Sequence, residues 1–253
     1  MLREQQRIWR DYPDDLKSRF DVIVTDDCSH KDKAESAVEP TGIRSFRLNR
    51  LLDKKRWNWL ACRNLGAKQA DTEWILLTDI DHALPAVTLR RVLEGPLDPE
   101  CAYRFSRVNA EKAWPYDVST CPVYKMHPDT WLMTKDLYFS RGILGYDERL
   151  SGCYGTSGEF RDRVLNTAKS TVILTEPMIR YSRDVLPDAS TNPKTFTRKN
   201  DPKNDADLRK RKAERDQIKH WKPLHGMTPY EAVLEVAGYE EVTVKYRSEH
   251  VTC

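Results

Sequence analysis

Apolar and polar positions fall into alternating blocks along the first two thirds of the chain. From Leu2 to about Arg19 the apolar residues recur at helical spacing, with an interruption near Pro13. Phe20 to Thr25 (FDVIVT) is a compact apolar run that ends in acids, as a buried strand does. Lys31 to Val38 reads as a short polar helix or loop, Gly42 to Leu48 as a second, weaker strand, and Trp57 to Ala70 as a helix. Glu73 to Thr78 (EWILLT) is the strongest strand pattern, apolar on both faces and stopping abruptly at Asp79. Beyond it the pattern predicts a helix over Val87 to Leu93, strands over Ala102 to Val108 and Thr130 to Thr134, a helix over Thr156 to Ala168, and a strand over Thr171 to Thr175.

Helices alternating with apolar strands up to residue 80 predict crossover units, and hence an α/β fold with a mixed, mainly parallel sheet and helices on both faces. From Asp184 to Lys222 the composition shifts to Asp, Asn, Pro, Lys and Arg. We therefore expect one domain over residues 1–183 and a charged C-terminal extension over 184–253. The extension holds helix candidates at Asp205 to Lys219 and Thr228 to Tyr239 and a strand at Glu241 to Tyr246.

Charge and cysteine content narrow the class. The 253 residues are 39% hydrophobic and 32% charged, with net charge +3. That excess is too mild to indicate nucleic acid by itself. No apolar run of roughly 18 residues is present, so no membrane anchor is expected, and the polar N-terminus does not read as a signal peptide. Six cysteines without a CxxC pair read as reduced thiols, which points to a cytoplasmic protein.

In open sheets, ligands bind outside the carboxyl ends of the strands. Two strands end there in acids: Asp26 with Asp27, and Asp79 with Asp81. Carboxylates alternating at a strand end, as in Asp79-Ile80-Asp81-His82, suit Mg²⁺ or Mn²⁺, which take oxygen ligands and can neutralise a departing diphosphate. A carboxylate at Asp26 or Asp27 accepts from a ribose or a base N–H, or else closes an Asx turn. Arg63 carries a fork suited to phosphate or a base carbonyl, or is a surface arginine. Trp57, Trp59 and Trp74 read first as core packing, and Trp114 with Tyr116 as platforms for an acceptor.

The run VIVTDDCS followed by WNWLACRNLGAKQADTEWILLTDIDHALP resembles family-2-type glycosyltransferases of the GT-A fold. There, a strand ending in paired acids, an "ARN-G" helix and a strand ending in the acid-x-acid motif come in this order. Downstream, Gly145 to Leu150 (GYDERL) resembles the family's acceptor-side turn, and the likeness extends over about residues 20 to 175. It implies a nucleotide-sugar donor, most often a UDP-sugar, and inverting transfer to an acceptor hydroxyl. Asp27 would recognise the base, Arg63 would lie near base and diphosphate, Asp79 would touch the ribose and Asp81 would ligate the metal. Asp147 and Glu148 would stand on the acceptor side, with Trp114 as a further candidate there.

Three departures accompany the likeness. Family members begin with a strand and turn that hold the nucleotide, whereas this chain starts at what would be the next helix. The acidic pair before the acceptor-side helix is replaced by Gly155-Thr156-Ser157-Gly158, leaving Glu159 as the expected general base, with Asp162 one turn on. The metal-binding His expected after the next strand is absent from Met178 to Ser182, with His82, His220 and His225 as substitutes. The basic stretch Arg198 to Lys222 reads as a solvated helix or as an arm for a DNA acceptor, a hydroxymethylated base. The competing functions are a nucleotidyltransferase and a catalytically degenerate sugar-nucleotide-binding protein.

Overall fold

The computed structural model of the chain describes residues 1–29, 33–52, 58–140, 142–148, 157–189 and 239–243. The helices are α1 (Leu2–Arg10), α2 (Asp14–Lys17), α3 (Trp59–Gln69), α4 (Ala86–Glu94), α5 (Lys135–Tyr138) and α6 (Ser157–Thr167). The strands are β1 (Asp21–Asp26), β2 (Ser45–Leu51), β3 (Trp74–Leu77), β4 (His82–Ala83), β5 (Ala102–Asn109), β6 (Val123–Tyr124), β7 (Trp131–Thr134), β8 (Thr171–Arg180) and β9 (Tyr239–Glu241). Prolines begin two of the helices: Pro13 precedes α2 and Pro85 precedes α4, where a fixed φ suits entry and no N–H is lost. Thr134 caps α5, its hydroxyl accepting from the Leu137 N–H at 3.2 Å.

The strands form two sheets, one in the order β1-β2-β9 and one in the order β3-β7-β5-β8-β4, with β6 on β5. The mixed α/β architecture, with helices packed on mixed sheets, matches expectation. Only β1–β2 and β5–β8 pair in parallel among the described ladders; β2–β9, β3–β7, β4–β8, β5–β6 and β5–β7 are antiparallel. The parallel ladders β1–β2 and β5–β8 are the longest, and β7 enters antiparallel between β3 and β5 because the chain from β5 to β7 doubles back through loops rather than through crossover helices. The terminal strand is Tyr239–Glu241, earlier than expected, and the two helix candidates of the extension lie outside the described residues.

Strand alternation divides the larger sheet into two faces. Tyr103, Phe105, Leu132, Leu174 and Met178 point to one face and pack with Ile8 and Trp9 of α1 and Leu89 of α4. Ile75, Leu77, Trp131 and Met133 point to the other and pack with Leu60 of α3, Tyr138 of α5 and Phe160 and Val164 of α6. Trp131, Met133, Tyr138 and Phe160 have no exposed surface to speak of. Each such side chain contributes about 1.5–3 kcal/mol on leaving water, so the β3–β7 strand ends are held by a rigid layer on both sides.

No ladder joins β1 to β3 among the described residues. Both strands line a cavity of about 520 Å³, β1 through Val22, Ile23 and Thr25 and β3 through Ile75, Leu76 and Leu77. One helix spans it. The backbone of α3 passes β1 at Gly66, where an added β-carbon would meet Thr25 Oγ1 at 3.9 Å and Ile23 Cγ2 at 4.0 Å.

Candidate active site

The carboxyl end of β3 delivers Asp79, and the antiparallel register of its neighbour supplies what surrounds it. Leu77 stands opposite Trp131, so the residues entering β7 lie beside the residues leaving β3. Asp79 Oδ2 is 3.2 Å from His127 Nε2, and Asp79 Oδ1 accepts from Arg63 of α3. Burial works to raise the Asp79 pKa, but Arg63, His127 and His82 outweigh it and hold the carboxyl well below its ordinary range. The guanidinium of Arg63 also donates to the Asp129 carbonyl and, at 3.3 Å, to the Tyr146 hydroxyl. It is 5.0 Å from the Trp59 ring centroid, so the residue expected near a base and diphosphate is a buried hub that joins α3, β3 and the entry to β7.

His82 occupies β4 and is buried. Its Nε2 lies 2.6 Å from Arg107 Nη1, and its Nδ1 lies 2.8 Å from Asp81 Oδ1. A guanidinium can only donate, so Nε2 is the acceptor and the imidazole carries its proton on Nδ1, toward Asp81. Burial pushes the His82 pKa down, which keeps this ring neutral despite Asp81. His82 therefore links Arg107 to Asp81.

Asn64 follows Arg63 and faces the acceptor-side turn. Its amide nitrogen donates to the Tyr146 carbonyl at 2.8 Å and to Glu148 Oε1 at 2.9 Å. Its Oδ1 accepts from the Tyr138 hydroxyl at 2.6 Å and from the Tyr146 N–H at 2.8 Å. The turn depends on Gly145, which has φ +67° and whose added β-carbon would stand 2.6 Å from Asn64 Oδ1. Glu148 is thus buried and bound to α3, and Trp59 packs edge-on against Tyr146 with centroids 5.1 Å apart.

At the other strand end, the Asp26 carboxylate accepts from the Ser29 N–H, three residues on, at 2.8 Å, and lies 3.6 Å from Arg50 Nε. Arg50 also pairs with Glu35 and, at 3.2 Å, with Glu240 of β9. Asp27 is different in kind. Burial first, and Asp26 second, push its pKa up, so its carboxyl stands ready to share a hydrogen with a ligand N–H or hydroxyl. Burial first, then Asp27 and Asp26, push the Cys62 thiol pKa up, while Arg63 on the same helix bonds Asp79, so α3 touches both acidic strand ends.

Of the residues expected on the acceptor side, Glu159 lies in the first turn of α6 and is held by both of its oxygens, Arg163 Nε at 2.7 Å and Nη2 at 2.8 Å. Its side chain is 3% exposed. To act as a base it would have to leave that pair. Ser157, at the start of the same helix, donates its hydroxyl proton to Asp129 Oδ2 at 2.5 Å. Asp129 is buried, burial pushes its pKa up, and it lies near Arg63, Asp79 and His127. Trp114 packs against α1, its backbone N–H donating to Glu4 at 2.6 Å and its indole to Asp11, and Tyr116 bonds Tyr181 at 3.0 Å. Tyr181 follows β8, and its N–H donates to the Asp81 carbonyl at 2.9 Å. Trp57, His220 and His225 lie outside the described residues.

His127, Asp129 and Arg107 carry much of the site and were not expected from the sequence. Their local context, KMHPDT and FSRVN, is an ordinary polar loop and an ordinary strand. Only the antiparallel pairing of β7 with β3 brings the first two to Asp79.

Asp79, His82 and His127 offer ligand atoms that all lie within 4.8 Å of one another, a spacing that fits one divalent cation. With His82 Nε2 engaged by Arg107, the donors turned toward the shared space are Asp79 Oδ2 and His127 Nε2. Asp81, expected as the metal ligand, faces His82 Nδ1.

One family model matches the chain, that of Glycosyl transferase family 2, over residues 5–149. No curated protein matches it. The matched span contains both acidic strand ends, all of α3 and the acceptor-side turn. No helix of the described residues is long and apolar enough to cross a membrane.

Proposed function

The chain belongs to glycosyl transferase family 2, and on that premise we propose that it transfers a sugar from a nucleoside-diphosphate donor, a UDP-sugar first, to an acceptor hydroxyl with inversion. The observation that supports this reading is the convergence of Asp79, Arg63, His82 and His127 at the end of β3, inside the matched span. In this reading Asp27 recognises the base, and Asp79 and His127 are the residues that would hold Mn²⁺ or Mg²⁺. A bound cation would supply positive charge where the diphosphate departs. Arg63 fixes Asp79 in its ionised form, so the oxygen offered at the site needs no deprotonation at neutral pH.

Two carboxylates compete for the acceptor proton, the expected Glu159 and Asp129. We favour Asp129. It stands among the site residues, it is not paired to a cation bidentately, and its raised pKa makes it a better proton acceptor near neutral pH. In the step we propose, the acceptor hydroxyl gives its proton to Asp129 while its oxygen bonds to the anomeric carbon. The bond from that carbon to the diphosphate breaks on the opposite face, and the electron pair leaves with the diphosphate. Ser157 steadies the carboxylate from the helix side. The acceptor we propose is a hydroxymethylated base of DNA.

The test is a thermal-shift panel of nucleoside diphosphates and sugar nucleotides, with and without Mn²⁺. A ligand that binds the folded state raises its apparent stability by mass action. A metal-dependent shift with UDP, together with UDP-sugar hydrolysis that disappears in Asp79→Ala, is the expected result. No shift with any nucleotide would sink the proposal. Binding without turnover would support a sugar-nucleotide-binding protein, and pyrophosphate release from a nucleoside triphosphate a nucleotidyltransferase.

A further inference from the structure

Tyr124, at the end of β6, is ringed by cations. The guanidinium carbon of Arg107 lies 4.9 Å from its ring centroid, that of Arg180 5.0 Å, and Lys125 Nζ 6.0 Å. Sheet register brings them together. Arg107 stands opposite Tyr124 in the β5–β6 ladder, and Arg180 ends β8 opposite Asn109 of β5. Their hydrogen bonds go to neutral groups: Arg107 Nε to the Lys125 carbonyl at 2.8 Å, Arg107 Nη1 to His82, and Arg180 Nη1 to Asn109 Oδ1 at 3.3 Å. Among the described residues, no carboxylate lies within ion-pair distance of any of the three. The nearby acids are already engaged, Asp79 by Arg63 and His127, and Asp81 by His82.

Like charges gathered over one aromatic ring repel one another, and the ring faces offset only part of that cost. Burial, with Arg180 next, lowers the Arg107 pKa to about 10, as expected for a guanidinium that lacks a counter-ion. An anion would relieve the strain, and Arg forks and a Lys ammonium both suit phosphate oxygens. Arg107 meets His82 of the candidate metal cluster, and Arg180 stands opposite His82 in the β4–β8 ladder, so these cations flank that cluster. Asp27 follows β1 in the smaller sheet, whereas the cations sit on β5 and β8 and just past β6, in the larger sheet.

We propose that Arg107, Lys125 and Arg180 form a binding site for a phosphate group carried by the acceptor. The word acceptor rests on the transferase reading above; the phosphate site itself does not. A phosphodiester of a nucleic-acid strand and the monoester of a small phosphosugar share the required chemistry, and the experiment distinguishes them.

The variants are Lys125→Ala, whose side chain is exposed, and Arg180→Ala. The probes are a short fluorescein-labelled single-stranded oligonucleotide, read by anisotropy across a salt series, and glucose 6-phosphate, read by calorimetry. UDP binding is followed in the same samples. The expected result is saturable binding of at least one probe to the wild type, roughly tenfold weaker in each variant. If the oligonucleotide is the ligand, the slope of log affinity against log salt should fall by about one in each variant, with UDP binding unchanged. Failure of both probes to bind the wild type, or equal binding by wild type and variants, overturns the proposal. So does loss of UDP binding in the variants, which would assign these cations to the donor diphosphate. Failure of UDP to bind the wild type would count against the transferase reading, and the phosphate probes would still decide this one.

Discussion

Asn64 Oδ1 stands where a β-carbon on residue 145 would come within 2.6 Å, so the amide of α3 and the glycine of the acceptor-side turn fit only each other. Gly145→Ala should destabilise the protein on two counts. Backbone strain at φ +67° costs about 1–2 kcal/mol, and displacing Asn64 from buried hydrogen bonds costs about 1–3 kcal/mol more. Asn64→Ala removes the same bonds, so the double variant should lose less than the sum of the singles. Urea unfolding of the three variants measures this, and full additivity would refute the coupling.

Asp129 and Glu159 can be separated by turnover. Asp129→Asn should lower kcat by roughly two to four orders of magnitude with little change in donor KM, as loss of a general base does. Glu159→Gln should instead leave turnover largely intact and lower the melting temperature, because it weakens the bidentate bond to Arg163. The reverse pattern would return the base role to Glu159.

The pH profile carries the sign of the Asp129 shift. Burial raises its pKa, so the base is lost on acidification at a pH above the ordinary aspartate value of about 3.9. Activity should therefore fall on a limb displaced upward from that value, and the limb should vanish in Asp129→Asn. Asp79 behaves oppositely for stability. Its pKa is depressed, so its contribution is present above the ordinary carboxylate range and is lost only as pH falls toward the lower folded value. Melting curves between neutral and acidic pH should show this loss in the wild type and not in Asp79→Asn.

Metal dependence should follow Asp79 and His127 more than His82. Removing divalent cations with a chelator should abolish donor hydrolysis, and Mn²⁺ should restore it. Asp79→Ala and His127→Ala should each weaken the Mn²⁺-dependent thermal shift. Arg107→Ala should strengthen it if His82 then turns its Nε2 to the cation, since the guanidinium now occupies that lone pair. Unchanged Mn²⁺ response in Asp79→Ala would place the cation elsewhere.

The two acidic strand ends were legible because each follows an apolar run that stops at a carboxylate, a change of polarity with one physical meaning at a sheet edge. The helix carrying Arg63 and Asn64 and the Gly145 turn were legible as motifs. What hid the rest was strand direction. Reading β3 and β7 as members of a mainly parallel sheet points attention only to carboxyl ends. Antiparallel pairing brings the amino end of β7, with His127 and Asp129, to the same edge. The length of β8 was hidden by Pro177, which reads as a break. It falls where the β5–β8 register shifts between Phe105 and Arg107, so the ladder needs no N–H there and the strand continues to Arg180.

β1 and β3 border a cavity instead of sharing a ladder, so the parts carrying Asp27 and Asp79 are joined through side chains, by α3 and by the apolar core around Trp9 and Tyr12 of the N-terminal helical segment. No backbone ladder fixes the span between those aspartates among the described residues. A nucleotide reaching from one to the other would act as a cross-tie, so tightness of binding and stiffness of the whole molecule should rise together.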